Sequence, residues 1–449
     1  VDGSRFVENY AGNNGGALDW YEGAHDSTLS NSYFIGNTAE KAGGAVYWYG
    51  HDGHVINSTF ENNRGSGDGG ALYVVGNTTE LQNSTFNNNI AGDDGGAVYW
   101  TGDYGVIFNL TANNNKGISE GKSHSKGGTI IITGSHMTVD TLVVSNSFAE
   151  EEAGGLFLTG NYVNVTNAIF TRCSASMDRT AQNITRGGGA VIIGNNTRLI
   201  NVTIEDSQAE RGGAIYWEGN DGYAYNVTAT RNFAPEEGGA IYIAGEDCQI
   251  YESEFTDNIA GDDGGAIYWE GDNGHIEECN FENNTGLSMW NQYDGKSHTS
   301  KGGAVSIIGD NLKLLNSNFT GSSTHNNGNN NNFGGTLFIT GEDVKIDGCD
   351  FNDSSSQGSD GGTIYIIGNR TEISNSGFSN STARSGGAIY VDGTYTVIKG
   401  SEFDTCTANS PGAQGGAIYI HGQQTVVEES NFVNSSAAFR GGAIYIDGL

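Results

Sequence analysis

A pair of adjacent glycines returns sixteen times along this chain, and the commonest step between pairs is 26 residues. A fixed period of that length marks one small unit repeated in tandem. A unit that cannot bury its own apolar face has to stack on its neighbours. The commonest phrase is Gly-Gly-Ala-Ile-Tyr, as at Gly212 to Tyr216 and Gly441 to Tyr445. A second phrase, Asn-Ser-Thr-Phe, follows it, as at Asn57 to Phe60 and Asn83 to Phe86. From the first glycine to that phenylalanine is 17 residues in most coils, for example Gly43 to Phe60 and Gly238 to Phe255. From the phenylalanine to the next glycine pair the distance runs from 8 to 21 residues. Length therefore varies at one corner only, as a stack in strict register requires.

The third residue after the first glycine is apolar: Leu18, Val46, Leu72, Val98, Ile130, Phe157, Val191, Ile215 and onward to Ile444. The fifth is Trp, Ile or Val in nearly every coil, as in Trp48, Trp100, Trp217, Trp269 and Ile446, and the fourth is usually Tyr. This alternation predicts a strand with positions three and five inward. About 26 residues leave room for three short strands and their turns. The expected fold is all-β, a right-handed parallel β-helix of about 16 coils, roughly 75 Å long at ~4.8 Å per coil. Asn63, Asn89, Asn258 and Asn284 share one turn position and are expected to form a ladder, each amide bonding to the next coil. The whole chain, 1–449, reads as a single array. Within it a six-coil unit is duplicated, approximately 43–211 and 212–385: Asn89 to Trp100 returns almost unchanged as Asn258 to Trp269. The long insertions near 113–126 and 283–301, and near 172–187 and 320–333, then fall on one edge about 29 Å apart.

With 53 acidic and 20 basic residues the formal charge is −33. A surface of that sign repels nucleic acid and anionic lipid. No apolar run reaches the ~18 residues of a membrane span. The chain starts at Val1 with no signal peptide, as a processed protein or a piece of a longer one does. Neither end shows the polar cap that guards a solenoid against edge pairing. That reads as an excerpt of a longer array, or as subunits that stack head to tail into a fibre. The five cysteines, Cys173, Cys248, Cys279, Cys349 and Cys406, fall coils apart and read as small buried apolar residues with no disulfide framework.

The paired phrases carry a family resemblance. Gly-Gly-Ala-Ile together with Phe-x-x-Asn, here Phe6 to Asn9, Phe34 to Asn37, Phe60 to Asn63, Phe86 to Asn89, Phe255 to Asn258 and Phe281 to Asn284, resembles the polymorphic outer-membrane adhesins of chlamydiae. It resembles still more closely the adhesin-like β-helix proteins of methanogenic archaea. The resemblance implies a right-handed parallel β-helix, secretion, and a place at the cell surface. It transfers no catalytic residue.

Several side-chain groups are candidates for contact. Among Asn-x-Ser/Thr sequons, Asn77, Asn195 and Asn369 follow a turn glycine and are glycosylation candidates, whereas Asn57 and Asn83 lie in the strand phrase and read as inward polar ladders. Tyr47, Tyr73, Tyr99, Tyr216, Tyr242, Tyr268, Tyr365, Tyr390, Tyr419 and Tyr445 form an outward stripe that reads either as cross-strand stabilisation or as a large exposed aromatic surface for sugar or a neighbouring rod. The loops carrying Lys122, His124 and Lys126, and Lys296, His298 and Lys301, read either as solvated tips or as docking loops for acidic turns of another subunit. The acidic pairs Asp93-Asp94, Asp262-Asp263, Glu151-Glu152 and Glu236-Glu237 precede glycine pairs, and a hard cation such as Ca²⁺ would bridge carboxylates stacked there. Acidic residues recur by coil and form no unique pair of the kind a glycosidase needs. The sequence thus points to a non-enzymatic, extracellular structural or adhesive protein that associates with itself and with cell-surface glycans. The alternative is a polysaccharide-processing β-helix enzyme, a lyase, hydrolase or phage-type depolymerase.

Overall fold

The computed structural model describes every residue except 22, 24, 120–124, 177–183, 289, 292–295, 298, 327–331 and 449. Among the described residues there is no helix, and the strands are short and almost all parallel to their neighbours. The chain forms two compact units, Val1–Gly219 and Asn220–Leu449. Their boundary lies close to the 211/212 boundary of the sequence duplication. Each unit is a right-handed parallel β-solenoid with eight glycine-pair strands, about sixteen turns in all.

One rung shows how the phrase folds. Val46–Tyr49 is the strand of the first sheet; His54–Ile56 and Thr59–Glu61 lie in the second; Arg64–Gly65 lies in the third. Each pairs with residues 26 further on, Val46 with Leu72, Phe60 with Phe86 and Arg64 with Ile90. The glycine pair turns the chain from the third sheet into the first. Gly43 adopts φ 65°, and a Cβ on Gly44 would lie 2.0 Å from the Gly70 carbonyl oxygen. The first residue needs a left-handed backbone and the second needs bare space.

Inward positions form columns. Trp48, Trp100, Trp217 and Trp269 are fully buried. The phenylalanines of the second phrase stack face to face, Phe34, Phe60 and Phe86 with centroids 4.6–4.9 Å apart in the first unit, and Phe255 through Phe432 at 4.6–5.0 Å in the second. Offset-stacked rings at that spacing add to the area they bury.

The asparagine ladder is present. Asn63 donates its backbone N–H and its Nδ2 to Oδ1 of Asn89, both at 3.0 Å, and Nδ2 also reaches the Phe34 carbonyl at 3.0 Å. Asn9, Asn37, Asn89 and Asn115 continue it in the first unit, and Asn232, Asn258 and Asn284 form it in the second. At three rungs where serine replaces asparagine, the shorter side chain is met by a threonine from the facing strand: Thr129 with Ser147 at 2.7 Å, Thr336 with Ser354 at 2.8 Å and Thr363 with Ser381 at 2.7 Å. Cys173 and Cys406 occupy this same column. Cys279 and Cys349 occupy a second, serine column that caps the turn before the phenylalanine. All five cysteines are free and buried, and burial pushes their thiols up to about 11 or 12.

Two expectations are corrected. In the rungs beginning near 154 and 188 the register is one residue earlier than the glycine pairs imply. Leu156 and Ala190 pair with the inward Ile130 and Ile215, while Phe157 and Val191 join the outward column of Tyr216. Ala153, at φ 55°, takes the place of the first glycine, and a slip of one residue exchanges the faces of a strand. Asn57 and Asn83 do not point inward. They sit at φ 47° and 49° between the two strands of the second sheet, exposed, in an outer amide ladder. Asn57 donates to Asn31 at 2.7 Å, and Asn109 donates to Asn83 at 2.8 Å. Asparagine tolerates that backbone better than other side chains. The next residue, Ser58 or Ser84, is the inward one, and the sequon threonines Thr59 and Thr85 follow it half-buried at the start of the next strand.

Asn89→Ala would leave two buried donors of Asn63 without an acceptor. It should lower the stability to urea by roughly 3 kcal/mol, while Asn87→Ala on the outward face should change it by less than about 0.5 kcal/mol.

Candidate functional site

The residue before the left-handed turn residue, the first glycine or Ala153, forms a column at the corner where length varies. In the first unit the column includes Asp68, Asp94, Lys126, Glu152, Arg186 and Arg211, and in the second Asp263, Lys301, Phe333 and Asp360. Its side chains lie over the outward aromatic stripe. Lys126 Nζ sits 5.1 Å from the Phe157 ring centre, the Arg186 guanidinium 4.7 Å from Tyr216, and Lys301 Nζ 5.4 Å from Phe338. Phe333 packs edge-on against Tyr365 at 4.8 Å.

This cover changes the reading of the tyrosines. Tyr47, Tyr73, Tyr99, Tyr390, Tyr419 and Tyr445 are half-buried, and Tyr216, Tyr242, Tyr268 and Tyr365 are buried. The stripe points outward but is not a large exposed patch. Its rings stack on one another, Tyr47 to Tyr73 at 5.1 Å and Tyr365 to Tyr390 at 4.6 Å. Burial pushes the phenols of Tyr73 and Tyr365 up to about 12.

Of the six proposed docking residues, Lys122, His124 and His298 lie outside the described residues. Lys296 is placed only through its backbone, in a short antiparallel pair with Asn291. Lys126 and Lys301 are not solvated tips: each ammonium is engaged within its own unit. Lys126 bonds Glu152 at 2.9 Å, and the same glutamate meets Arg186 at 3.4 Å. Lys301 instead turns back to Asp263 at 3.0 Å, because the next rung offers Phe333 where the first unit has Glu152.

The acidic pairs follow the same logic. The Glu152 and Asp263 carboxylates already hold side-chain cations where Ca²⁺ was expected. Burial pushes Asp263 up, the neighbouring Asp262 carboxylate adds to the shift, and the Lys301 ammonium opposes it. In the first unit one carboxylate oxygen each from Asp68, Asp93 and Asp94 lie within 4.8 Å of one another. Asp94 also accepts the Lys126 N–H at 2.8 Å. Burial, with Asp68 and Asp93 adding to it, pushes Asp94 up to about 7.

The opposite end of the first-sheet strands turns through a glycine and a left-handed residue. In the first unit three successive rungs place Tyr104, His136 and Tyr162 there, stacked at 4.8 and 5.1 Å with both tyrosines more than half exposed. The glycosylation candidates Asn77 and Asn195 are exposed at this turn. The Asn77 Oδ1 accepts the Asp103 N–H at 2.9 Å. Asn369, at the same turn in the second unit, is half-buried, and its Nδ2 donates to Glu342 at 3.1 Å. There the turn opens into a groove of about 450 Å³, lined by Ile367, Asn369, Asp392, Thr394, His421 and Gln423 over a floor of Gly368, Gly393 and Gly422. Asp392 and His421 carry no signal in the repeat pattern. They are single outward residues at the strand end, and only the register brings them side by side.

The repeat of the Chlamydia polymorphic membrane protein family matches residues 31–47, 57–75, 83–99 and 252–268. The likeness to methanogen adhesins has no such match. No curated protein matches the chain. Among solved structures, the Dettilon tailspike protein is similar at 12% identity and TM-score 0.32, over 84% of this chain and 62% of that one. An alginate lyase bound to a trisaccharide is similar at 13% identity and TM-score 0.32, over 88% of this chain and 80% of that one. The tailspike of the E. coli bacteriophage HK620, in complex with a hexasaccharide, is similar at 11% identity and TM-score 0.34, over 99% of this chain and 73% of that one. At those values the likeness assigns no activity. The chain spans 62% of the length of the first of these proteins.

Two outcomes follow from the corner charges. The folded pKa of Asp94 stands above its ordinary value of 3.8, so the folded state binds the extra proton. The stability this contributes is present at pH 4 and is lost as pH rises toward 7. Asp94→Asn should keep the Lys126 N–H bond and flatten that decline in melting temperature. Lys301→Met removes the cation facing the buried Asp263, so its carboxyl shifts further up and the loss of stability to urea should grow with rising pH, reaching about 3–5 kcal/mol once the carboxyl must ionise, and adding Asp263→Asn should recover most of the loss.

Proposed function

We propose that this chain is an extracellular structural and adhesive protein of a cell surface and has no catalytic role. The match of its rungs to the chlamydial polymorphic membrane protein repeat supports that placement. The chemistry of the described residues is consistent with it. At the corners the buried acids Glu152, Asp263 and Asp360 are paired with Lys126, Lys301 and Arg384. Groups held in that way stiffen a scaffold and are not available for proton transfer. The acidic exterior, with a formal charge of −33, keeps such a scaffold hydrated and apart from nucleic acid.

Antibodies raised against the purified chain should label intact, unpermeabilised cells of its source. Label that appears only after permeabilisation would overturn the surface reading. Release of new reducing ends from polysaccharide by the purified chain would overturn the non-catalytic part.

A further inference from the structure

The groove in the second unit has the layout of a binding site. Ile367, Asp392 and His421 are exposed partners in register on three successive strands, so one wall advances one residue per rung. Asn369, Thr394 and Gln423 form the facing wall one turn later. That wall is internally braced: Thr394 gives both its N–H, at 2.9 Å, and its hydroxyl, at 2.8 Å, to the Asn369 Oδ1. The floor is bare because each rung sits too close to the next for a side chain. A Cβ on Gly393 would lie 1.8 Å from the Gly368 oxygen, and one on Gly422 lies 1.9 Å from the Gly393 oxygen. Asp392 and His421 make no side-chain hydrogen bond among the described residues, in contrast to the paired acids at the opposite corner.

We propose that this groove binds an extended, neutral polysaccharide laid along the stack, roughly one sugar residue per rung. The inference rests on the adhesive reading and names its ligand class. A flat glycine floor beside Ile367 suits the C–H face of a pyranose. A carboxylate, an imidazole and an amide on the flanking walls suit its hydroxyl edges. The rungs repeat every ~4.8 Å, close to the advance of an extended pyranose chain. Volumes of ~300–1,000 Å³ are the usual range for a ligand site, and this groove falls within it. Charge selects a neutral chain over an acidic one. No lysine or arginine lines the groove. Arg370 beside it is held by Glu342 and, at 2.6 and 2.8 Å, by Asp343. A polyuronate would therefore meet the Asp392 carboxylate with no lysine or arginine to offset it.

The test uses the full chain on an array of linear hexasaccharides: β-1,4-glucan, β-1,4-mannan, β-1,3-glucan and α-1,4-glucan as neutral probes, with oligomannuronate and oligogalacturonate as acidic ones. At least one neutral probe should bind and neither acidic probe should. Asp392→Ala with His421→Ala should weaken the bound probe by about tenfold or more while the melting temperature stays put, since neither side chain braces a rung. Tyr104→Ala in the first unit should leave binding unchanged. Binding of the acidic probes, no binding to any neutral probe, or full binding by the double variant would each overturn the groove. Adhesion to cells separates the two claims. A double variant that binds the probe and adheres as well as the parent leaves the adhesive reading standing and removes the groove. A parent chain that binds a neutral probe but no cell surface removes the adhesive reading and keeps the groove.

Discussion

The constraint on which everything else depends is register between neighbouring rungs. A parallel strand meets its partner a whole coil later, so every residue faces its own counterpart, as Phe60 faces Phe34 and Phe86. Like must tolerate like. Apolar rings do so by stacking. Amides do so because asparagine carries both an acceptor and donors, so one side chain serves the rung before it and the rung after it. Carboxylates do not, and this explains the corner column. Where acids follow one another, Asp68 and Asp94, the burden appears as a carboxyl held near neutrality. Where the sequence alternates sign, as in Lys126, Glu152 and Arg186, the ladder is satisfied.

The two units solve the same corner in different ways, and the difference comes from one substitution. Lys126 and Lys301 occupy corresponding places in the duplicated sequence. With Glu152 above it, Lys126 reaches forward; with Phe333 above it, Lys301 reaches back to Asp263. The ammonium follows the nearest carboxylate that burial has made costly to leave alone. In both units the aliphatic stem still covers an aromatic ring, Phe157 or Phe338, as long cationic side chains do.

Much of the fold was legible because its signals are periodic. The spacing of Gly43, Phe60 and Gly69 gives the rung, and Asn63 with Asn89 gives the turn ladder. The register near 154 and 188 was not legible, since a glycine pair is an ambiguous marker when Ala153 takes the left-handed place and three glycines run together from Gly187 to Gly189. The burial of Tyr216 and Tyr365 was hidden for another reason. Alternation tells which face a side chain takes, but not whether Arg186 or Phe333 will fold over it. The groove around Asp392 and His421 was hidden because neither residue departs from the polar character usual at a strand end.

Nearest-neighbour ladders have a mechanical side. A rung holds only to the rungs beside it, so a load that peels the stack from an end opens one row of backbone bonds at a time. Each 26-residue rung that yields pays out up to ~90 Å of chain in place of ~4.8 Å of stack. The rung beneath keeps its own bonds and becomes the new edge. A tether built on this plan lengthens stepwise under tension and spares whatever holds its far end.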